Sequence, residues 1–178
     1  MPDVILVDEN DKPVGTMEKI AAHEQGLLHR AFSVFIFDRK GMMLLQKRAT
    51  HKYHSPGLWT NACCSHPFPG EEIQIAAIRR LNEELGFTTT LKKAFHFTYK
   101  ASFENGLTEF EFDHVFAGFF EGEINPDPEE VANTCYKSVE AIESDMKSNP
   151  EQYTEWFKIA FPLLQEWLQK HQFLHVAT

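Results

Sequence analysis

The sequence is poor in cysteine, in basic residues and in long apolar runs, and each shortage excludes something. Only 3 of 178 residues are cysteine, and two of them, Cys63 and Cys64, are adjacent, so no disulfide framework is expected. No apolar run approaches the ~20 residues that a membrane-spanning helix needs. The stretch from Met1 to Asp8 has neither the basic start nor the apolar core of a secretory signal, which makes the cytoplasm the expected address. Lys and Arg number 17 against 26 Asp and Glu, a formal charge of −9. Such a surface repels a phosphate backbone, so neither nucleic acid nor membrane is an expected partner. A small anionic ligand needs only a few local cations and stays open. Tyr at 4 and Trp at 3 are scarce, whereas Phe reaches 16. With 43% hydrophobic and 24% charged residues, the chain has the composition of one globular domain over residues 1–178.

Periodicity gives a coarse map. Strands are expected at Asp3 to Val7, Val14 to Met17, His29 to Phe37 and Met42 to Lys47, with the turn Asp38-Arg39-Lys40-Gly41 joining the last two. Glu18 to Gln25 has little periodicity and suits a loop or short helix. Thr50 to Phe68, rich in His, Pro, Gly and Asn, is expected as a long irregular loop, and loops of that length in compact domains usually carry function. Pro69-Gly70-Glu71-Glu72 opens the clearest helix. Ile73, Ala76, Ala77, Leu81 and Leu85 share one face of it, and Gly86 stands as its C-cap. Strands follow at Ala94 to Ser102 and Thr108 to Phe120. From Ser138 onward the chain is helical, with a kink or two helices in series expected at Pro162. The order predicts an α+β, mixed α/β layered domain.

Four clusters bear chemistry. In the strand Thr108 to Phe116, alternation sets Glu109, Glu111 and Asp113 on one face, about 7 Å apart in succession. Two such carboxylates can converge on a cation, although the segment alone favours a solvent-facing acidic edge. Asn61-Ala62-Cys63-Cys64-Ser65-His66-Pro67 offers buried small cysteines beside a loop His, a weak zinc pair, or a nucleophilic or acid–base thiol. His23 and His29 lie six residues apart and need a turn between them to share a ligand. The histidines at 51, 54, 96, 114, 171 and 175 have no comparable partners. On the helix, Arg79 with Glu83 and Arg80 with Glu84 make i,i+4 pairs, worth roughly 0.3–0.5 kcal/mol at a surface. The same carboxylates suit Mg²⁺ with bound phosphates, provided that Lys19, Arg48 and Lys52 gather nearby.

Taken in order, Ser65, Glu71, Arg79-Arg80-Leu81, Glu83-Glu84 and Gly86-Phe87 resemble the Nudix box, a loop–helix–loop that holds divalent metal and diphosphate. Ser65 replaces its leading Gly, and Arg80 replaces the Glu that normally follows the Arg. Trp59-Thr60-Asn61, Cys64, His66-Pro67 and the Glu109/Glu111 strand add a resemblance to type 1 isopentenyl-diphosphate isomerases, as does Lys19-Ile20-Ala21-Ala22-His23. It runs from roughly Val4 to Trp156.

That resemblance implies a Nudix-like fold with a central mixed sheet flanked by helices. It implies an enzyme that interconverts isopentenyl and dimethylallyl diphosphate through a carbocation-like state. It further implies that His23, His29, His66, Glu109 and Glu111 ligate one divalent metal (Mn²⁺, Mg²⁺ or Zn²⁺). Glu84 would bind a Mg²⁺ that bridges to the diphosphate, and Lys19, Arg48, Lys52 and Arg80 would contact diphosphate oxygens. Cys64 and Glu111 would form the acid–base pair, Tyr99 would assist, and Trp156 would face the hydrocarbon end. A Nudix hydrolase of a nucleoside diphosphate derivative is the alternative that Glu83 and Glu84 keep open, and a non-catalytic metal-binding module is a third.

Overall fold

The computed structural model describes residues 3–177 and builds them around one nine-stranded sheet. Strands β1 (Asp3–Val7) and β2 (Pro13–Glu18) form an antiparallel pair. Helix α1 (Lys19–Gln25) follows directly, where a loop or short helix was expected. The Glu18 carboxylate accepts from the Ala21 N–H at its start, and Gly26 at φ 59° ends it in the left-handed conformation that glycine takes without a Cβ penalty.

Strand β3 (His29–Phe37) is the spine of the sheet. Along one side it runs parallel to β8 (Thr108–Phe119), from His29 opposite Glu111 to Phe37 opposite Phe119. Its other side is shared in turn by β1 at His29, β6 (Cys63–Ser65) at 32–34 and β4 (Met43–Arg48) at Phe37. Strand β7 (Leu91–Ser102) pairs with β8, and β9 (Val131–Lys137), absent from the sequence map, pairs with β4. The Thr50 to Phe68 loop is interrupted by β6 and by the two-residue β5 (Trp59–Thr60), both held to the sheet.

Alternation along β3 feeds two cores. Phe32, Val34 and Ile36 pack with Ala76, Ala77, Leu81 and Leu85 of α2 (Ile73–Leu85). Phe35 and Phe37 pack instead with Phe157, Phe161 and Leu164 of α4 (Glu155–His171), beside Ile142 of α3 (Val139–Ser148). On β8, Val115 and Ala117 join this second core. The row Glu109, Glu111 and Asp113 continues the same alternation toward the start of the strand. It is therefore buried, at 3%, 6% and 1% exposure, and not the solvent-facing edge that the segment alone favoured.

Helix α4 runs unbroken through Pro162, and the helical stretch is interrupted between Ser148 and Glu155 instead. An internal proline costs about 3 kcal/mol, because it leaves the carbonyl four residues back without its donor. The buried side chains on α4 outweigh that cost, since Phe157, Phe161, Leu164 and Leu168 alone contribute about 1.5–3 kcal/mol each. Pro162 itself is exposed. Pro162→Ala is expected to raise the unfolding free energy by about 2 kcal/mol, once the stiffening of the unfolded chain by proline is subtracted. Urea denaturation checks this, and an unchanged midpoint would show that the missing bond to Lys158 carries no cost.

Candidate active site

Four elements meet at one end of β3. Helix α1 supplies His23, β3 supplies His29, the residue after β6 is His66, and β8 supplies Glu111. Their donor atoms lie within 4.8 Å of one another, and no residue of the group is exposed. The backbone sets the imidazole tautomers. His23 Nδ1–H donates to the Lys19 carbonyl at 2.6 Å, and His29 Nδ1–H donates to the Leu27 carbonyl at 2.8 Å. A carbonyl can only accept, so each Nε2 carries the lone pair in the neutral ring. Both Nε2 atoms are buried without a hydrogen-bond partner. Orphaned buried acceptors are costly, and lone pairs aimed at a common point are what a divalent cation takes up. The donor set fits a metal.

Glu111 is the hinge of the group. Its Oε1 lies 2.9 Å from His66 Nε2 and 3.4 Å from His29 Nε2, and its Oε2 accepts from the Tyr99 hydroxyl at 2.7 Å. Burial alone would raise the pKa of this carboxyl, but its imidazole partners hold it well below the usual carboxylate range. Burial pushes His66 down to about 3, and it lowers His23 as well. Glu109 lies beside the group of four and not within it. Its carboxylate accepts from the same Tyr99 hydroxyl at 3.1 Å and stands 3.4 Å from His54 Nε2. Burial, followed by the charge of Glu111, raises Glu109 well above its ordinary value.

The group opens on a pocket of about 60 Å³ that Cys64 lines together with Tyr99, Trp156 and the cations Lys19, Arg48, Lys52 and Arg80. Burial raises the Cys64 thiol and the Tyr99 hydroxyl well above their ordinary values. Trp156 is 2% exposed, and the Arg48 guanidinium sits 5.2 Å from the centroid of its ring. Glu84 is buried at the same pocket, accepting from Arg80 Nη2 at 2.7 Å and from Gln46 Nε2 at 2.9 Å. With the Cys63 thiol as a third donor, one of its four lone pairs remains for a cation. Both i,i+4 pairs form, but the stronger partner of Arg79 is Glu71, in a two-pronged fork at 2.7 and 2.8 Å.

Sequence reasoning missed several contributors. His54 was set aside as lacking partners, yet it is buried in the pocket wall, its ring 5.9 Å from that of Trp156. Its position inside the His- and Pro-rich loop was the available signal. Asn61 lies in the quoted motif without a role. It donates to the Val34 and Cys63 carbonyls and accepts from Trp156 Nε1 at 3.3 Å, so it ties the Cys64 segment to β3 and to α4. Gln46 and Glu130 gave no sequence signal. Of the other histidines set aside, His114 pairs with Asp11 at 2.8 Å and His51 with Glu129 at 3.4 Å.

Comparison with known proteins places this architecture in a class. The NUDIX domain model matches residues 27–157. Two solved structures share the fold at 18% identity. The DR0079 protein of Deinococcus radiodurans has a TM-score of 0.68 and covers 82% of this chain and 89% of its own. The MutT protein of Methanosarcina mazei Go1 has a TM-score of 0.66 and covers 78% and 94%. The curated relatives are more specific. The isopentenyl-diphosphate Delta-isomerase of Pectobacterium atrosepticum is 47% identical over 95% of this chain and 94% of its own length. That of Serratia proteamaculans is 48% identical over 86% of each chain. The chain belongs to the isopentenyl-diphosphate Delta-isomerase family of NUDIX domain proteins.

The His/Glu group is expected to take up one divalent ion per chain. Mn²⁺ at 100 times its dissociation constant should stabilise the fold by about 2.7 kcal/mol, visible as a higher thermal midpoint. His66→Ala should remove most of that gain and His51→Ala none of it. Equal loss in both variants would place the ion elsewhere.

Proposed function

We propose that the chain, as one Nudix-like domain, interconverts isopentenyl diphosphate and dimethylallyl diphosphate by adding a proton to one carbon and removing one from another. The observation that carries this reading is the meeting of the Cys64 thiol and the Glu111 carboxylate on one pocket, with four cations in its lining. An unactivated alkene is a very weak base, so its protonation passes through a state close to a tertiary carbocation. Two proton carriers with separated proton affinities are then needed. Burial keeps the Cys64 thiol protonated, and a cation held by the imidazoles would keep Glu111 ionised. Cys64 acts as acid and Glu111 as base for one direction, with Tyr99 holding Glu111 through its hydroxyl.

Water would quench the cation, and the buried faces of Trp156 and His54 help to keep that end dry. Trp156 faces the hydrocarbon end, where its indole contributes of order 2 kcal/mol of cation–π attraction. Lys19, Arg48, Lys52 and Arg80 bind the diphosphate, which supplies positioning and no chemistry of its own. His23, His29, His66 and Glu111 hold a divalent ion, with Glu109 as fifth donor from the next place on the same strand face. When bound, that ion supplies the positive charge that fixes and neutralises Glu111. Three imidazoles suit Mn²⁺ or Zn²⁺ better than Mg²⁺, whereas Glu84 with phosphate oxygens suits Mg²⁺. Three free thiols are consistent with a reducing, cytoplasmic setting.

Purified protein given isopentenyl diphosphate and Mg²⁺ is expected to form dimethylallyl diphosphate and release no phosphate. Released phosphate without isomer would favour the hydrolase. Cys64→Ala should lower turnover by about 10³-fold, within the range for an acid–base group, and leave metal content unchanged. Loss of metal together with activity would make Cys64 a structural residue.

A further inference from the structure

The pocket carries carboxylates beside its cations. Its lining carries four cationic side chains against four carboxylates. Three of these carboxylates, Glu84, Glu109 and Glu111, have roles above. The fourth is Glu130, the last residue before β9. Its backbone is fixed on both sides, since its N–H donates to the Asp127 carbonyl at 3.0 Å and its own carbonyl accepts from the Ala49 N–H at 3.0 Å. The side chain therefore projects to one place, between two cations on different elements. Lys52 Nζ forms an ion pair with Glu130 Oε2, and Arg80 Nη2 stands 3.3 Å from Glu130 Oε1. Lys52 follows β4 and Arg80 lies on α2, so a single carboxylate bridges two otherwise separate parts of the pocket wall.

We propose that Glu130 is a stand-in anion for the substrate diphosphate. It holds Lys52 toward the pocket and adds a third carboxylate to Arg80, which Glu83 and Glu84 already hold at 2.7 Å each, and it gives both cations up when a diphosphate arrives with its divalent cation. This rests on the diphosphate reading of the pocket and deepens it. The chemistry is a like-for-like exchange, because a carboxylate and a phosphate oxygen satisfy the same ammonium and guanidinium donors. The exchange requires no unfolding, as the side chains of Glu130, Lys52 and Arg80 retain 24%, 20% and 21% exposure. It also opposes a bare anion. Until Glu130 moves or is screened, a metal-free diphosphate meets a carboxylate where it needs a cation.

Calorimetric titration of the full chain with inorganic diphosphate tests the exchange. In the presence of EDTA, Glu130→Gln is expected to bind inorganic diphosphate about tenfold more tightly than the unsubstituted protein, the worth of one charge-assisted bond no longer competed for. Glu130→Ala should show the same direction of change. Glu129→Gln, which removes the same charge from an exposed neighbour paired with His51, should stay within about twofold. Unchanged or weaker binding in both Glu130 variants overturns the proposal and makes Glu130 a scaffold for the two cations. An equal gain in Glu129→Gln overturns it as well, since net charge would then explain the effect. If the unsubstituted protein binds no diphosphate even with Mg²⁺, the diphosphate reading of the pocket fails, and the exchange fails with it.

Discussion

Parallel pairing of β3 with β8 sets His29 directly beside Glu111, and the rest of the site is delivered to that point. From the far side of β8, antiparallel β7 brings Tyr99 opposite Glu111. From the far side of β3, β6 brings Cys64 opposite Ser33 and leaves His66 just beyond the strand end. Helix α1 adds His23 from above. Had the β3–β8 register slipped by one residue, Phe110 or Phe112 would face the imidazoles and the carboxylates would enter the opposite core. The Phe-rich alternation of both strands therefore specifies the chemistry as well as the packing.

This arrangement runs against ordinary folding economy. The row Glu109, Glu111 and Asp113 continues into Val115 and Ala117, so acidic groups occupy the same layer as the core against α4. Each buried carboxylate or unsatisfied imidazole nitrogen costs free energy unless something compensates it. Part of the compensation comes from the protein itself, through Tyr99 to both glutamates and Ser33 to Asp113 at 2.7 Å. Of the atoms left unsatisfied, which include Asp113 Oδ1 and His54 Nδ1, His23 Nε2 and His29 Nε2 call for a cation. Extensive packing by α4 and α2 on the two faces of the sheet keeps such a site in place.

Much of the fold was legible in the sequence, because strong periodicity survives translation into structure. The helix from Ile73 to Leu85 with its Gly86 cap, the strand His29 to Phe37 and the two strands ending and beginning near Ser102 and Thr108 follow from local pattern. Helix α1 escaped a firm assignment because its seven residues bury only Ala22 and His23, too few to print a period. The continuity of α4 through Pro162 was hidden, since the compensating burial is tertiary. At the site, motif order brought together residues that single clusters could not rank, and His23, His29, His66 and Glu111 do converge. His54, Gln46 and Glu130 escaped notice because their partners lie 16 to 78 residues away or on another element, where no local spacing rule reaches.

The central claim is that three imidazoles and Glu111 share one ion beside the Cys64 thiol. Anomalous diffraction from crystals grown with Mn²⁺ tests it most directly. The expected result is a single strong peak about 2.0–2.3 Å from His23 Nε2, His29 Nε2, a ring nitrogen of His66 and a Glu111 oxygen, the range of metal–nitrogen and metal–oxygen bonds. A peak held by Glu83 and Glu84 alone, with the three imidazoles left empty, would contradict it.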